Sequence, residues 1–431
     1  MKANGYALSD PGLKRSANED FYLMDEEIGL FVVCDGVGGH VAGGTASDMA
    51  GKVIRQVVND GRTIIQKYNA DRSLKNRAIV AGLLQKAIQT ANEQIFRMAE
   101  VDVLKRGMCT TVVALIILED YAILAHVGDS RIYLHRTNQV HQLTEDHKYA
   151  IEMVKRGLMK PEEAMKSPQA NVLTRAVGIQ PAVQVDTLQL ELAAGDLFLL
   201  CSDGLHNYAD RNELKARFMG ADPKTLPSQL VEFAKASGGA DNITAICVKL
   251  DVEKTARDDV VDALKKTEIF GKIPMFRYLG YTEMTKVLSI AHLKEYAAGS
   301  SVVNQGDPSD EMYIIAAGDA DVLKNGVKIA ERKKGDFFGE MGIFDNAPRS
   351  ATVSAKTSVT AITLHRKDLL ELLRQESQIA VKLLWALNRE LNDRIRKASE
   401  DVANCADNAA KPPVRDSTDV GLPFSLEVTK Y

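Results

Sequence analysis

Between Leu30 and Leu250, short apolar runs of β type alternate with polar turns: GLFVVCD, TTVVALIIL, YAILAHVGDSRIYL, DLFLLCSDG and NITAICVKL. Each has the length of a buried strand. Two longer segments, Ala46 to Ile65 and Ala78 to Met98, carry aliphatics on one side and charges on the other at helical spacing. Strands in runs, with helices segregated between them, predict an α+β sandwich of sheets covered by helices. A polar, helical insert, HKYAIEMVKRGLMKPEEAMKSPQANVLTRAVG, interrupts the strand pattern and is expected to act as a flap over a site.

From Asp251 the texture changes to DVEKTARDDVVDALKKTE, a charged helical stretch without large aromatics, as an interdomain connector would have. After Pro274 a second β-rich region begins, its turn-dense segments YAAGSSVVNQGDPSDE, AAGDADVLKNGVKIA and KKGDFFGEMG spaced as closely as a small barrel requires. A helical run from Arg366 to Val402 closes it. The remainder is aperiodic and rich in Pro, Ala, Asp and Lys, which predicts a disordered tail. The expected division is therefore a domain over 1–251, a helical linker over 252–272, a second domain over 273–402 and a tail over 403–431.

Composition narrows the setting. A chain of 431 residues is too long for one core of ordinary size. The net charge of -4 gives no basic surplus, which argues against nucleic acid as a partner. Cys34, Cys109, Cys201, Cys247 and Cys405 are scattered, without CxxC pairing, and read as thiols of a reducing compartment. The opening MKANGYALSD lacks a signal-like apolar run, and no stretch approaches the roughly 18 apolar residues of a membrane span. A cytoplasmic location and no membrane span are expected.

The candidate chemistry lies at strand ends. Asp35, Asp129 and Asp203 each stand just past an apolar run, and Asp241 lies in the turn GGADNIT. Singly, each is as readily a turn or cap residue. Four carboxylates at neighbouring strand ends would converge and repel unless cations sat among them. With no His or Cys at zinc spacing, a hard cation is expected, Mg²⁺ or Mn²⁺. Two such ions sharing one carboxylate can activate water and stabilise a phosphoryl group during in-line attack.

The ordered series RSANED, VVCDGVGGH, GMCTTVV, VGDSRIYL, LTEDH, NVLTRAVG, CSDGL and ADNIT resembles the bacterial branch of the metal-dependent protein phosphatases, type 2C, over roughly the first 250 residues. The resemblance implies an α-β-β-α sandwich and a phosphoserine/phosphothreonine phosphatase acting on phosphorylated proteins. It implies Asp35 as the carboxylate bridging two metals, with the Gly36 carbonyl on one ion and Asp203 and Asp241 on the other. Glu19 and Asp20 would hold metal-bound waters, Asp129 with Asp203 a weaker third ion, and Arg15 the substrate phosphate, unless Arg15 makes only a surface salt bridge. Animal members carry histidine directly after Asp-Gly; here that residue is Val37, and the nearest histidine is His40. His40 is a candidate general acid or a structural neighbour of the metal waters.

A second glycine-acid loop, GDFFGEMGIFDNAPRSATV, spans Gly335 to Val353. Backbone N–H groups near Met341 and Gly342 could bind a phosphate, Arg349 could neutralise it, Ser350 could donate to it, and Glu340 could accept from a sugar hydroxyl. The plain alternative is a turn with a surface Glu340–Arg349 salt bridge. The stretch from about Ile273 to Val402 resembles cyclic nucleotide-binding domains, a jelly-roll-like β-barrel with a closing helix. That resemblance puts ribose on Gly339 and Glu340 and the cyclic phosphate on Arg349, Ser350 and Ala351. Serine at 350 rather than threonine favours cAMP over cGMP, and Trp385, Asn388, Arg389 and Asn392 are candidates to meet the base. Together the two resemblances imply a phosphatase regulated by a cyclic nucleotide; a catalytically weak scaffold that senses the nucleotide is the alternative.

Overall fold

The computed structural model describes residues 2–37, 41–251, 269–270, 272–345 and 347–410. His40, most of the expected linker, and residues 411–431 of the expected tail lie outside the described residues. The first half contains strands β1 (Lys2–Asp10), β2 (Asp20–Asp25), β3 (Leu30–Val37), β4 (Cys109–Thr110), β5 (Val112–Ile117), β6 (Tyr121–Val127), β7 (Arg131–Arg136), β8 (Gln139–Gln142), β9 (Asp186–Glu191), β10 (Leu197–Cys201) and β11 (Ile243–Asp251). Its helices are α1 (Val41–Asp60), α2 (Arg62–Ala70), α3 (Leu74–Val101), α4 (Tyr149–Lys155), α5 (Pro161–Lys166), α6 (Asp203–His206), α7 (Arg211–Phe218) and α8 (Leu226–Ala236). One sheet has the order β1-β11-β10-β7-β8; the other runs β2-β3-β5-β6-β9, with β4 added to β3.

The period-two rule assigns each strand face to a layer. Along β3, Leu30, Val32 and Cys34 pack with Ile54, Leu84 and Ile88 of α1 and α3. Phe31 and Val33 turn the other way, to Phe198, Leu200, Ile246 and Val248 of the facing sheet. The far faces of β10 and β11, through Leu199 and Cys247, pack against Leu214, Leu230 and Val231 of α7 and α8. This is a four-layer α-β-β-α sandwich whose central strands are buried on both sides, which explains runs as uniformly apolar as VVALII. The first expected helix differs in detail, since it breaks at Gly61 into α1 and α2.

The second half pairs β12 (Ala291–Tyr296), β14 (Glu311–Ala317), β17 (Phe337–Phe338) and β19 (Val359–His365) in one sheet, and β13 (Ser301–Val303), β15 (Ala320–Lys324), β16 (Val327–Arg332) and β18 (Thr352–Ala355) in the other. Tyr313 and Ile315 of β14 point between the sheets with Val322, Val353 and Ala361. Met312, Ile314 and Ala316 point outward to Leu369, Ile379 and Leu383 on the closing helices. The expected single helical run is broken at Glu376, giving Arg366–Gln375 and Ser377–Ala410. No helix among the described residues is long and apolar enough to cross a membrane.

The two halves touch through the helix Tyr281–Leu288. The Tyr281 ring stacks on His141 with centroids 3.6 Å apart, and Thr282 Oγ1 donates to the Gln142 carbonyl at 3.3 Å. A cavity of about 440 Å³ lies between α4–α5 and the second half, with Ile151, Val154 and Met165 on one wall and Glu283, Gln378 and Lys382 on the other.

Candidate functional site

Adjacent antiparallel strands set the centre of the site. In the β2–β3 ladder, Asp20 and Asp35 are direct cross-strand partners, a placement in which two like charges destabilise the sheet. Asp203 arrives from the end of β10 at the first turn of α6, and Asp241 from the turn before β11. Burial, and then the charges of Asp20, Asp203, Asp129 and Asp241, hold the Asp35 carboxyl well above the ordinary value of 3.8. Asp203 is pushed up to about 6 by burial, Asp129 and Asp241, and Asp20 to about 7 by burial, although Thr244 and Ser202 hydrogen bonds oppose the shift. The expected convergence of carboxylates is therefore present in space.

Backbone proximity explains the glycines beside Asp35. A Cβ on Gly36 would lie 2.3 Å from the Gly43 carbonyl oxygen and 2.7 Å from that of Glu19, so β3, α1 and the Asn-Glu-Asp loop meet with no room for a side chain. The Gly36 N–H donates to the Glu19 carbonyl at 3.2 Å, and Ser47 Oγ donates to the same oxygen at 2.6 Å. Asn242 ties the loop to the Asp241 turn: its Oδ1 accepts from the Glu19 N–H at 2.8 Å and its Nδ2 donates to the Pro11 and Ala17 carbonyls.

Several supporting residues gave no individual signal in the sequence. Ser202 and Thr244 hydroxyls donate to Asp20 Oδ2 at 2.7 and 2.6 Å. Thr111 accepts the Asp35 N–H and meets Ser130 Oγ at 2.7 Å, so the Cys-Thr-Thr segment braces the Asp35 strand against the Gly-Asp-Ser turn. His206 Nε2 bonds the Asp129 carbonyl at 2.9 Å, and burial pushes that imidazole down to about 3, so it is neutral near pH 7. Arg15 lies on Asp241 at 2.9 Å with half of its side chain exposed, the salt-bridge arrangement that its position also allowed.

The donor set fits hard divalent cations. Oxygen is the only ligand type offered by Asp20, Asp35, Asp203 and Asp241, and Asp20 Oδ1 is buried without a hydrogen-bond partner among the described residues. A separate group, His126, His147 and Asp186, brings its ligand atoms within 4.8 Å of one another. Hydrogen bonds account for it as a brace: His147 Nδ1 accepts from the Gly128 N–H at 3.1 Å, His147 Nε2 meets Asp186 at 3.2 Å, and Arg175 holds the other Asp186 oxygen at 2.7 Å.

The raised carboxylates give a signed pH prediction. With folded values near 6 and 7 against an ordinary 3.8, the metal-free fold holds protons that the unfolded chain releases. Their stabilising effect is complete below about pH 4 and is lost as pH rises through 6 to 7. Cations must displace those protons. The rise in melting temperature produced by Mn²⁺ should thus be large near pH 8 and shrink as pH falls through 7 to 6, and a rise independent of pH would contradict this account.

In the second half, Gly339 (φ 79°) precedes the short helix Glu340–Asp345. A Cβ there would lie 2.4 Å from Arg349 Nη1, so the glycine lets the guanidinium lie against the loop. Arg349 is only 7% exposed, and Nη1 donates to the Glu311 carbonyl at 2.8 Å. This excludes the surface Glu340–Arg349 turn bridge: Arg349 is internal, and Glu340 faces Arg394 of the closing helix at 3.6 Å. Met341 and Ser350 are exposed and Gly342 is buried beside Ser309, while Ala351 packs partly against the inter-sheet core. Of the base candidates, Trp385 is 67% exposed, Arg389 meets the Tyr278 hydroxyl at 3.2 Å, and Asn392 donates to Asn388. Arg394 was not among them.

Comparison with known proteins agrees with both halves. A family model described as protein phosphatase 2C matches residues 14–233, and one described as cyclic nucleotide-binding domain matches residues 293–376. The chain is 35% identical over 257 residues to the serine/threonine phosphatase stp of Listeria monocytogenes, covering 58% of this chain and 97% of the relative. It is 36% identical over 250 residues to the protein phosphatase PhpP of Streptococcus pneumoniae, covering 57% and 97%. The crystal structure of the Mycobacterium tuberculosis serine/threonine phosphatase PstP/Ppp aligns with a TM-score of 0.51 at 29% identity, covering 58% of this chain and all of that one. With its sandwich, its converging carboxylates and these matches, the chain belongs to the protein phosphatase 2C family of metal-dependent serine/threonine phosphatases, and it carries a cyclic nucleotide-binding domain in its C-terminal half.

Proposed function

We propose that this protein hydrolyses phosphoserine and phosphothreonine in phosphorylated proteins of the cytoplasm, with Asp35, the Gly36 carbonyl, Asp203 and Asp241 holding two divalent cations, Mn²⁺ or Mg²⁺. The observation that carries the reading is the cross-strand pair of Asp20 and Asp35, with an Asp20 oxygen that is buried and has no partner among the described residues. Bound there, the cations would supply an acidified water and offset charge on the phosphoryl oxygens. Asp20, fixed by Ser202 and Thr244, and Glu19, whose backbone N–H is held by Asn242, would accept hydrogen bonds from that water. Arg15, which lies on Asp241 at 2.9 Å, would offer a planar, paired donor to the substrate phosphate. The test is hydrolysis of an aryl phosphate and a phosphothreonine peptide with Mn²⁺ and with a chelator; equal rates in both would refute the metal assignment.

Arg349, Gly339 and Glu340 support cyclic nucleotide as the regulatory ligand, with cAMP favoured through Ser350. The helix Tyr281–Leu288 supports a route between sites, because it joins the phosphatase half through the His141 stack and the closing helix through the Glu283–Lys382 pair at 2.6 Å. Lys382 also lines the cavity against α4 and α5. A ligand that repositions the closing helix would bias the flap in proportion to its preference for one arrangement. In Tyr281→Ala, the ratio of phosphatase rates with and without cAMP should fall to one while cAMP affinity stays within about twofold of the wild type. A preserved ratio would rule out this route.

A further inference from the structure

The type 2C reading expects Asp129, with Asp203, to take a third divalent cation, but the structure puts a side-chain cation there. Lys148 Nζ lies 2.8 Å from Asp129 Oδ2, and the two side chains are only 12% and 8% exposed. Such a shielded pair is not the loose surface bridge that salt and side-chain entropy cancel. An ammonium is a compact point charge with three donors, well suited to a single carboxylate oxygen.

The mount of Lys148 is stiff. Its neighbour His147 donates its N–H to the Gly128 carbonyl at 2.9 Å, and Gly128 returns its own N–H to His147 Nδ1 at 3.1 Å. Gly128 and His147 are the residues next to Asp129 and Lys148, so these bonds fix the two backbones in register. Asp186 and Arg175 hold the other side of the His147 ring, and the Lys148 carbonyl begins α4 by accepting the Glu152 N–H at 3.0 Å. On the far side of Asp129, His206 bonds its carbonyl. Backbone bonds therefore set the reach of the lysine, rather than a chance rotamer.

We propose that Lys148 is a tethered cation that occupies the third-cation position, so that this phosphatase binds two divalent ions at its active site rather than three. The proposal rests on the two-cation reading above. A third divalent ion on Asp129 would have to displace the ammonium or sit beside it, and the mutual repulsion opposes the second arrangement. The lysine also places an ammonium near enough to act on Asp203, a charge that does not depend on ion concentration.

The experiment is a Mn²⁺ titration of the metal-stripped full chain by calorimetry, with bound metal counted independently after equilibrium dialysis at millimolar free Mn²⁺. Wild type should bind two equivalents, Lys148→Ala three, and Lys148→Arg, which keeps the charge, two. Adding Asp129→Asn to Lys148→Ala should return the count to two. Circular dichroism confirms the fold of each variant, and Lys148→Ser replaces the alanine variant if that one does not fold. Three equivalents in wild type, or two in Lys148→Ala or in the Lys148→Ser that replaces it, would overturn the proposal while leaving the two-cation reading intact. Fewer than two in wild type would overturn both.

Discussion

Asp35→Asn should lower Mn²⁺-dependent phosphate ester hydrolysis by at least about a thousandfold, because one carboxylate is asked to hold both cations of a two-metal site. The same change should raise the melting temperature of the metal-free protein. Asn is nearly isosteric with Asp, so the core around β3 keeps its shape. What it removes is a carboxyl whose charged form is opposed first by burial and then by Asp20, Asp203, Asp129 and Asp241, the causes that hold it well above its ordinary value. Mn²⁺ should then give little of the thermal stabilisation expected for wild type. These two readouts move in opposite directions only if Asp35 is a ligand. A variant that simply misfolds would melt lower and lose activity, whereas one that retains wild-type turnover or the wild-type Mn²⁺ shift would remove Asp35 from the site.

Arg349→Leu should weaken cAMP binding by roughly a hundredfold or more, the loss expected when two charge-assisted hydrogen bonds at about 1.5–3 kcal/mol each disappear. Arg349 is pre-positioned by its bond to the Glu311 carbonyl and its place 5.3 Å from the Tyr313 ring centre, so little side-chain entropy is lost on binding. Arg349→Lys keeps the charge but loses the fork and should fall between the two. Calorimetric titration with cAMP and cGMP gives the affinities, and phosphatase turnover without nucleotide serves as the control for an intact first half. Unchanged cAMP affinity in Arg349→Leu would remove the phosphate role.

Much of this was legible because strand chemistry is local. An apolar run ending in Asp-Gly signals a carboxylate delivered to a sheet edge, so Asp35 and Asp203 stood out, and the apolar run of β3 matched the length of a buried strand. Residues whose roles depend on a neighbour far along the chain were not legible. Ser202 and Thr244 look like ordinary strand-end hydroxyls until β2 is laid beside β10 and β11, where both reach Asp20. Lys148, in a polar insert, reads as solvated until the Gly128–His147 bonds turn it onto Asp129. Arg394 stands four residues after Glu390 and makes that local contact at 3.4 Å. The helix break at Glu376 sets the path that also brings it to Glu340 and to the Phe337 carbonyl. Single-residue signals cannot carry such information, because the partner is chosen by topology.

The facing Asp20 and Asp35 also bear on how long the protein survives in a cell. A fold with opposed carboxylates at its centre is least stable when no cation is bound at neutral pH, and anything that binds only the folded form adds stability by mass action. Small differences of that kind change how often a chain is opened and captured by proteases. The ions required for turnover would then also govern turnover of the polypeptide itself. A shortage of divalent metal would shrink the pool of this enzyme as well as silence it, and the signal would outlast the shortage by the time needed for new synthesis.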